Sequence, residues 1–164
     1  MRILRWGLQA VVLSFWALAP AHADMVDDCK QSADLNVKVV ECTAVIRSGQ
    51  WSGKNLSWAY YNRGNAYANL GQYGRAIQGY DQILRLDPAY AKAYHNRGVA
   101  YRELGDFEGA VRDWERAIKI DGASRFRWWQ ERTRGNGHFS GAIDGIYSPG
   151  TPAALEACAR DPAC

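Results

Sequence analysis

The chain matches itself when it is slid along by 34 residues. Tyr60, Arg63, Gly64, Ala66, Tyr67, Leu70, Gly71 and Ala76 fall on Tyr94, Arg97, Gly98, Ala100, Tyr101, Leu104, Gly105 and Ala110. A repeat of this length is one supersecondary unit, too small to bury its own apolar face, so neighbouring units must stack. Within each unit, Tyr60, Gly64 and Tyr67, like Tyr94, Gly98 and Tyr101, share one helical face. Glycine inside a helix costs about 1 kcal/mol against alanine. Its recurrence therefore predicts close approach of a second helix, with Ala76 and Ala110 as the small residues facing it. Gly71-Gln72 and Gly105-Asp106 separate the two helices of each unit. The second helices carry Ile77, Tyr80 and Leu84, and Val111, Trp114 and Ile118, at helical spacing. Asp87-Pro88 ends the first unit, because a residue before proline is pushed out of helical dihedrals. Gly122 ends the second as a C-terminal cap.

The stretches YYNRGNAYANLGQYGRAIQGYDQILRLDP and YHNRGVAYRELGDFEGAVRDWERAIKIDG resemble two successive tetratricopeptide repeats, a family whose period is 34 residues. The resemblance implies an all-α, right-handed superhelix of helix-turn-helix units, at residues 57–90 and 91–123. It also implies a concave groove, lined by the first helix of each unit, that holds a protein or peptide segment. The groove positions are Tyr61, Asn62, Asn65 and Asn69, beside Trp58, then Lys92, His95, Asn96 and Arg102, beside Val99 and Glu103. Asn65 and Asn96 fall at positions used by the family's carboxylate-clamp subgroup. Tyr61 replaces that subgroup's lysine, so a complete clamp is not expected. Asn62-Arg63 and Asn96-Arg97 have a second reading, as hydrogen-bonding pairs between helices.

The N-terminal 23 residues read as a secretory signal. Arg2 and Arg5 precede an uncharged, mostly apolar stretch from Trp6 to Ala19, and Ala21-His22-Ala23 prepares a cut before Asp24. The apolar stretch is shorter than the roughly 20 residues needed to span a bilayer. Cleavage removes two arginines and no acid, lowering the formal net charge from +3 to +1. A near-neutral mature chain lacks the basic field that nucleic acid requires. The expected location is the periplasm or beyond. All four cysteines, Cys29, Cys42, Cys158 and Cys164, follow the cut, and an even count in an exported chain predicts two disulfides. Of three connectivities, proximity favours Cys29–Cys42 with Cys158–Cys164. Neither zinc-ligand spacing nor Cys-x-x-Cys is present.

Residues 24–56 are expected to form a half-size cap on the first repeat. VVECTAVIRSG resembles the end of a second helix, with Cys42, Val45 and Ile46 in the places of Trp114, Ala117 and Ile118. A short antiparallel helix holding Cys29 would precede it, stapled by the disulfide.

The period is lost after Ser124. A capping helix is expected to cover the second repeat through Phe126, Trp128 or Trp129, before five glycines crowd into residues 135–150. Thr151-Pro152 opens a last helix, with threonine as cap and proline in the first helical position. The segment WWQERTRGNGHFSGAIDGIYSPGTPAAL is similar to the first half of the small helical peptidoglycan-binding domain. Gln130, Gly137, Phe139, Gly141, Ile143-Asp144-Gly145, Tyr147, Thr151 and Leu155 carry that similarity. It departs at Thr133, Ser148 and Pro152, and the domain's second half is missing. The resemblance implies a helical module over 124–164, with His138, Phe139, Asp144 and Tyr147 as candidate peptidoglycan contacts.

No nucleophile elbow, phosphate loop or paired-carboxylate motif is present, and His138 with Asp144 supplies only two of the ligands a metal needs. The sequence therefore predicts a binding or scaffold protein, not an enzyme, with no cofactor and no metal. A peptidoglycan-binding accessory protein is the second reading.

Overall fold

The computed structural model describes residues 19–164, with side-chain surroundings from Asp24 onward. The expected signal segment lies outside the described residues apart from Ala19–Ala23, whose backbone opens the first helix. Eight α-helices follow one another: α1 (Ala19–Gln31), α2 (Leu35–Arg47), α3 (Ser57–Asn69), α4 (Tyr73–Leu86), α5 (Ala91–Glu103), α6 (Phe107–Asp121), α7 (Ala123–Gly135) and α8 (Thr151–Arg160). There is no strand among the described residues. Successive helices pair as α1–α2, α3–α4 and α5–α6, and each pair packs on the next through α2–α3 and α4–α5.

The turns inside the repeats follow from two glycines. Gly71 and Gly105 take φ values of 71° and 80°, where a side chain is strained. Gln72 N–H then reaches the Tyr67 carbonyl at 2.8 Å and Gly71 N–H that of Ala68 at 2.9 Å. Asp106 to Tyr101 and Gly105 to Arg102 repeat the pattern, each at 2.9 Å. These crossed bonds satisfy the last carbonyls of α3 and α5 and turn the chain back.

The mid-helix glycines make room for aromatic rings, which stand nearer to them than the expected Ala76 and Ala110. A Cβ on Gly64 would lie 2.9 Å from Tyr80 Cε1, and one on Gly98 would lie 2.6 Å from Trp114 Cδ1 and Nε1. The Ala110 carbonyl oxygen also lies 3.1 Å from the Gly98 position. Gly79 brings two backbones together as well, since its Cβ would stand 3.3 Å from Gly64 Cα.

Asp34 caps α2, its Oδ1 accepting from Asn36 and Val37 N–H. Cys29 and Cys42 come to disulfide distance, with Cα atoms 4.6 Å apart and both side chains fully buried. They join Val45 and Ala59 in a small core, against which Trp51 and Trp58 pack edge to face. This core is thin, because Val40 stays 61% exposed. The staple therefore carries much of the cap's stability. Replacing both cysteines by serine is expected to cost about 3 kcal/mol, the chain entropy of a loop this long. Hydrogen exchange should then rise first in residues 24–50, with the two repeats still protected. Unchanged protection there would show that the cap holds without its cross-link.

At the other end, α7 and α8 both lie against α6, and Cys158 and Cys164 come to disulfide distance. Phe126 and Trp129 of α7 are buried against Trp114, Leu155 and Cys158, whereas Trp128 remains 41% exposed. Gly150 takes the cap position of α8 and Thr151 its first helical position, so Pro152 falls in the first turn one place later than expected. The Thr151 hydroxyl, however, accepts from Ser148 N–H and so fastens the preceding turn.

Candidate functional site

The first helix of the second repeat, α5, presents one face to two adjoining cavities, and Tyr61 of α3 reaches one of them. The larger, about 220 Å³, is lined by Tyr61, Lys92, His95, Asn96, Asp121, Arg125 and Trp129, with Ala117. The second, about 190 Å³, is lined by His95, Val99, Arg102, Trp114, Trp128, Trp129, Arg132 and Cys164. His95 and Trp129 belong to both. The opposite wall is α7, whose Arg125, Trp128, Trp129 and Arg132 recur at the spacing of one helical face.

Among the residues expected in the groove, the structure brings Tyr61, Lys92, His95, Asn96 and Arg102 to these cavities. Asn65 stands just behind them: its Oδ1 accepts from Asn96 Nδ2 at 2.9 Å and from the Tyr80 hydroxyl at 2.8 Å. Asn96 Nδ2 also reaches the Tyr61 hydroxyl at 3.2 Å. The two asparagines thus hold each other, leaving the Asn96 carbonyl and the Asn65 amide donors for a ligand. Asn62 and Asn69 line neither cavity. The α7 wall (Arg125, Trp128, Trp129 and Arg132) was not among the expected groove residues. Its signal was the recurrence of basic and aromatic residues at positions 125, 128–129 and 132.

His95 is the centre of the site. Its ring lies 5.8 Å from that of Trp129 and 6.3 Å from that of Trp128, and Trp114 Nε1 donates to its carbonyl. Burial, then the nearby Arg125 and Arg132 and more weakly Arg102, push its pKa below the ordinary histidine value, with Asp121 opposing. Burial is the largest cause of that shift, and the three guanidinium groups act in the same direction. Asp121 pairs with Arg125 at 3.0 Å and Glu103 with Arg102 at 2.8 Å, while Arg132 donates to the Cys164 carbonyl oxygen. Lys92 is exposed and forms no ion pair among the described residues. The buried Trp129 Nε1–H has no hydrogen-bond partner. The site thus offers cations, stacking faces and donors, and few acceptors.

Arg97 serves the fold. Its Nε and Nη2 donate to the Asp113 carboxylate at 2.6 and 2.7 Å, and its Nη1 donates to Asp81 at 2.6 Å. These bonds to Asp113, foremost, raise the guanidinium's pKa above its usual value. This is the inter-helix pairing that the sequence offered for Asn96-Arg97.

The candidate peptidoglycan contacts are engaged within the C-terminal module or with α6. Phe139 is buried, and the Asp144 carboxylate accepts from Gln130 Nε2 and Ile146 N–H. Those two bonds hold its pKa below the ordinary value, Gln130 contributing most. Tyr147 stacks on Phe126, 5.7 Å between ring centroids, and its hydroxyl donates to Glu115. His138 Nε2 meets Asp161 at 2.8 Å. Among the described residues no cluster of three or more histidine, cysteine or acidic residues could hold a metal, and no helix is long and apolar enough to cross a membrane.

The family model of the tetratricopeptide repeat matches residues 57–90 and 91–122, covering α3 to α6. No curated protein matches the chain. The paired helices, the glycine turns and these two matches agree, and residues 57–122 are similar to two successive tetratricopeptide repeats.

Proposed function

We propose that the protein is an exported, non-catalytic scaffold whose α5–α7 groove holds an acidic segment of a partner protein. Tetratricopeptide repeats are usually protein-interaction scaffolds, so a protein partner follows from the family match. The acidic character rests on one observation, that Lys92, Arg102, Arg125 and Arg132 line the cavities on either side of His95. An extended segment would lay its carboxylates toward Lys92, Arg125 and Arg102 and its apolar side chains on Trp128 and Trp129. Asn96 would hold its backbone.

Lys92→Glu with Arg125→Glu should weaken binding of a glutamate-rich peptide about tenfold or more, equal to about 1.4 kcal/mol. The loss should shrink in high salt, which screens exposed charge. Binding should also strengthen as pH falls through the His95 pKa, because a bound anion favours the protonated ring. Equal affinity of the double variant, or equal binding of a neutral peptide, would remove the electrostatic basis of this reading.

Export is supported by the signal layout of residues 1–23 and by the two cysteine pairs at disulfide distance. A cut before Asp24 would leave Cys29 and its pairing intact. The second reading, a peptidoglycan contact through residues 124–164, rests on the sequence resemblance alone. Pull-down on purified peptidoglycan, with and without those residues, separates it from the groove reading.

A further inference from the structure

The two repeats treat one half-buried arginine differently. Arg97 and Arg63 occupy the same position, each lying over the tyrosine three residues before it: 5.5 Å to the Tyr94 ring and 5.4 Å to the Tyr60 ring. Arg97 is neutralised by Asp113 from its own repeat and by Asp81 from the helix before. In the first repeat, the residue 34 before Asp113 is Gly79. The place of Asp81 is taken by Thr43, whose hydroxyl accepts from Arg63 Nη1 at 3.1 Å. Arg63 therefore has a neutral partner at one position and an empty backbone at the other. Its Nε is buried and has no hydrogen-bond partner among the described residues.

The missing carboxylate leaves space. A cavity of about 360 Å³ opens beside Gly79, between α3 and α4, lined by Arg63, Arg75, Gln78 and Gln82 together with the Tyr60 and Tyr67 rings. None of its lining residues is acidic. Arg75 stands over Tyr67, 5.6 Å from the ring, and shares one donor with Gln72. On α3 the residues facing this cavity (Tyr60, Arg63, Tyr67) lie across the helix from Tyr61 and Asn65, so the site is separate from the α5–α7 groove.

We propose that the cavity beside Gly79 is a carboxylate-binding site. A bound carboxylate would accept from Arg63 Nε and Nη2 as Asp113 does from Arg97, with Arg75 and the two glutamines as further donors. The planar fork of a guanidinium suits two oxygens on one carbon, and a buried N–H donor such as Arg63 Nε is costly to leave without an acceptor. The carboxylate comes either from an acidic side chain of a bound protein or from a small free acid.

The test is the Arg63 Nε–Hε signal in a proton–nitrogen correlation spectrum of the full chain, identified by its loss in Arg63→Lys. Sodium acetate and a blocked Ala-Glu-Ala tripeptide are titrated separately against sodium chloride of equal ionic strength. The proposal expects a saturable shift with at least one of the first two and none with chloride. Acetate alone would assign the site to small acids, and tighter binding of the tripeptide would assign it to a protein side chain. Gly79→Asp should supply the carboxylate internally, move the signal toward that of Arg97 and abolish the titration. A shift no larger than that caused by chloride would overturn the proposal and leave a water-filled cavity. Undiminished titration in a folded Gly79→Asp protein would overturn it as well.

Discussion

Asp113→Ala is expected to destabilise the folded chain by about 3 kcal/mol, the lower end of the range for removing one member of a buried ion pair. The Asp113 side chain is 8% exposed and that of Arg97 is 18% exposed, so neither charge is well hydrated in the fold. Removing the carboxylate leaves two guanidinium donors without acceptors inside the α5–α6 contact. Asp81, 39% exposed, still holds Nη1 and keeps the loss from being larger. Urea unfolding measures the change. Arg97→Met combined with Asp113→Leu should lose less than Asp113→Ala alone, because no orphaned charge remains. An additive double variant would show that the two groups do not act as a pair.

Gly98→Leu should cost about 1–3 kcal/mol, and even Gly98→Ala should lower the melting temperature. Alanine favours the helix by about 1 kcal/mol over glycine. Its Cβ, however, would stand 2.6 Å from two atoms of the Trp114 ring and 3.1 Å from the Ala110 carbonyl oxygen. Trp114 is 1% exposed and its Nε1–H is bonded to His95, so the ring has no free direction in which to retreat. Gly74→Ala provides the contrast. It lies in α4 with nothing within 4 Å of its would-be Cβ, and alanine there should be neutral or stabilising. If Gly98→Ala melts no lower than the wild type, the close packing of α5 on α6 is not what keeps this position glycine.

The repeat region was legible because its information is local and doubled. Helical spacing, the glycine turns and Asp87-Pro88 each specify a short segment, and the 34-residue shift states them twice. The partner of the mid-helix glycines was less legible. A small residue on one helix invites a small residue opposite, whereas the space is filled by Tyr80 and Trp114, which reach across from the second helices. The C-terminal module lost legibility with the period. Phe126, Trp128 and Trp129 were readable as capping residues, but which of them is buried depends on the rotation of α7, which no repeat fixes. That rotation also turns Arg125 and Arg132 toward His95, and so gives the groove cations from outside the matched repeats. Asp144 and Tyr147 looked available in a glycine-rich loop. Their polar groups are taken up by Gln130, Ile146 and Glu115, partners 2 to 32 residues away.

The groove is tested most directly by mapping where an acidic segment lands. A glutamate-rich peptide titrated into the isotope-labelled protein should move backbone and side-chain signals of Lys92, His95, Asn96, Arg102, Trp128 and Trp129, with the His95 ring pKa rising on saturation. Shifts centred instead on Phe107, Val111 and Arg160, beyond α6, would contradict the account and place binding on the far side of the repeats.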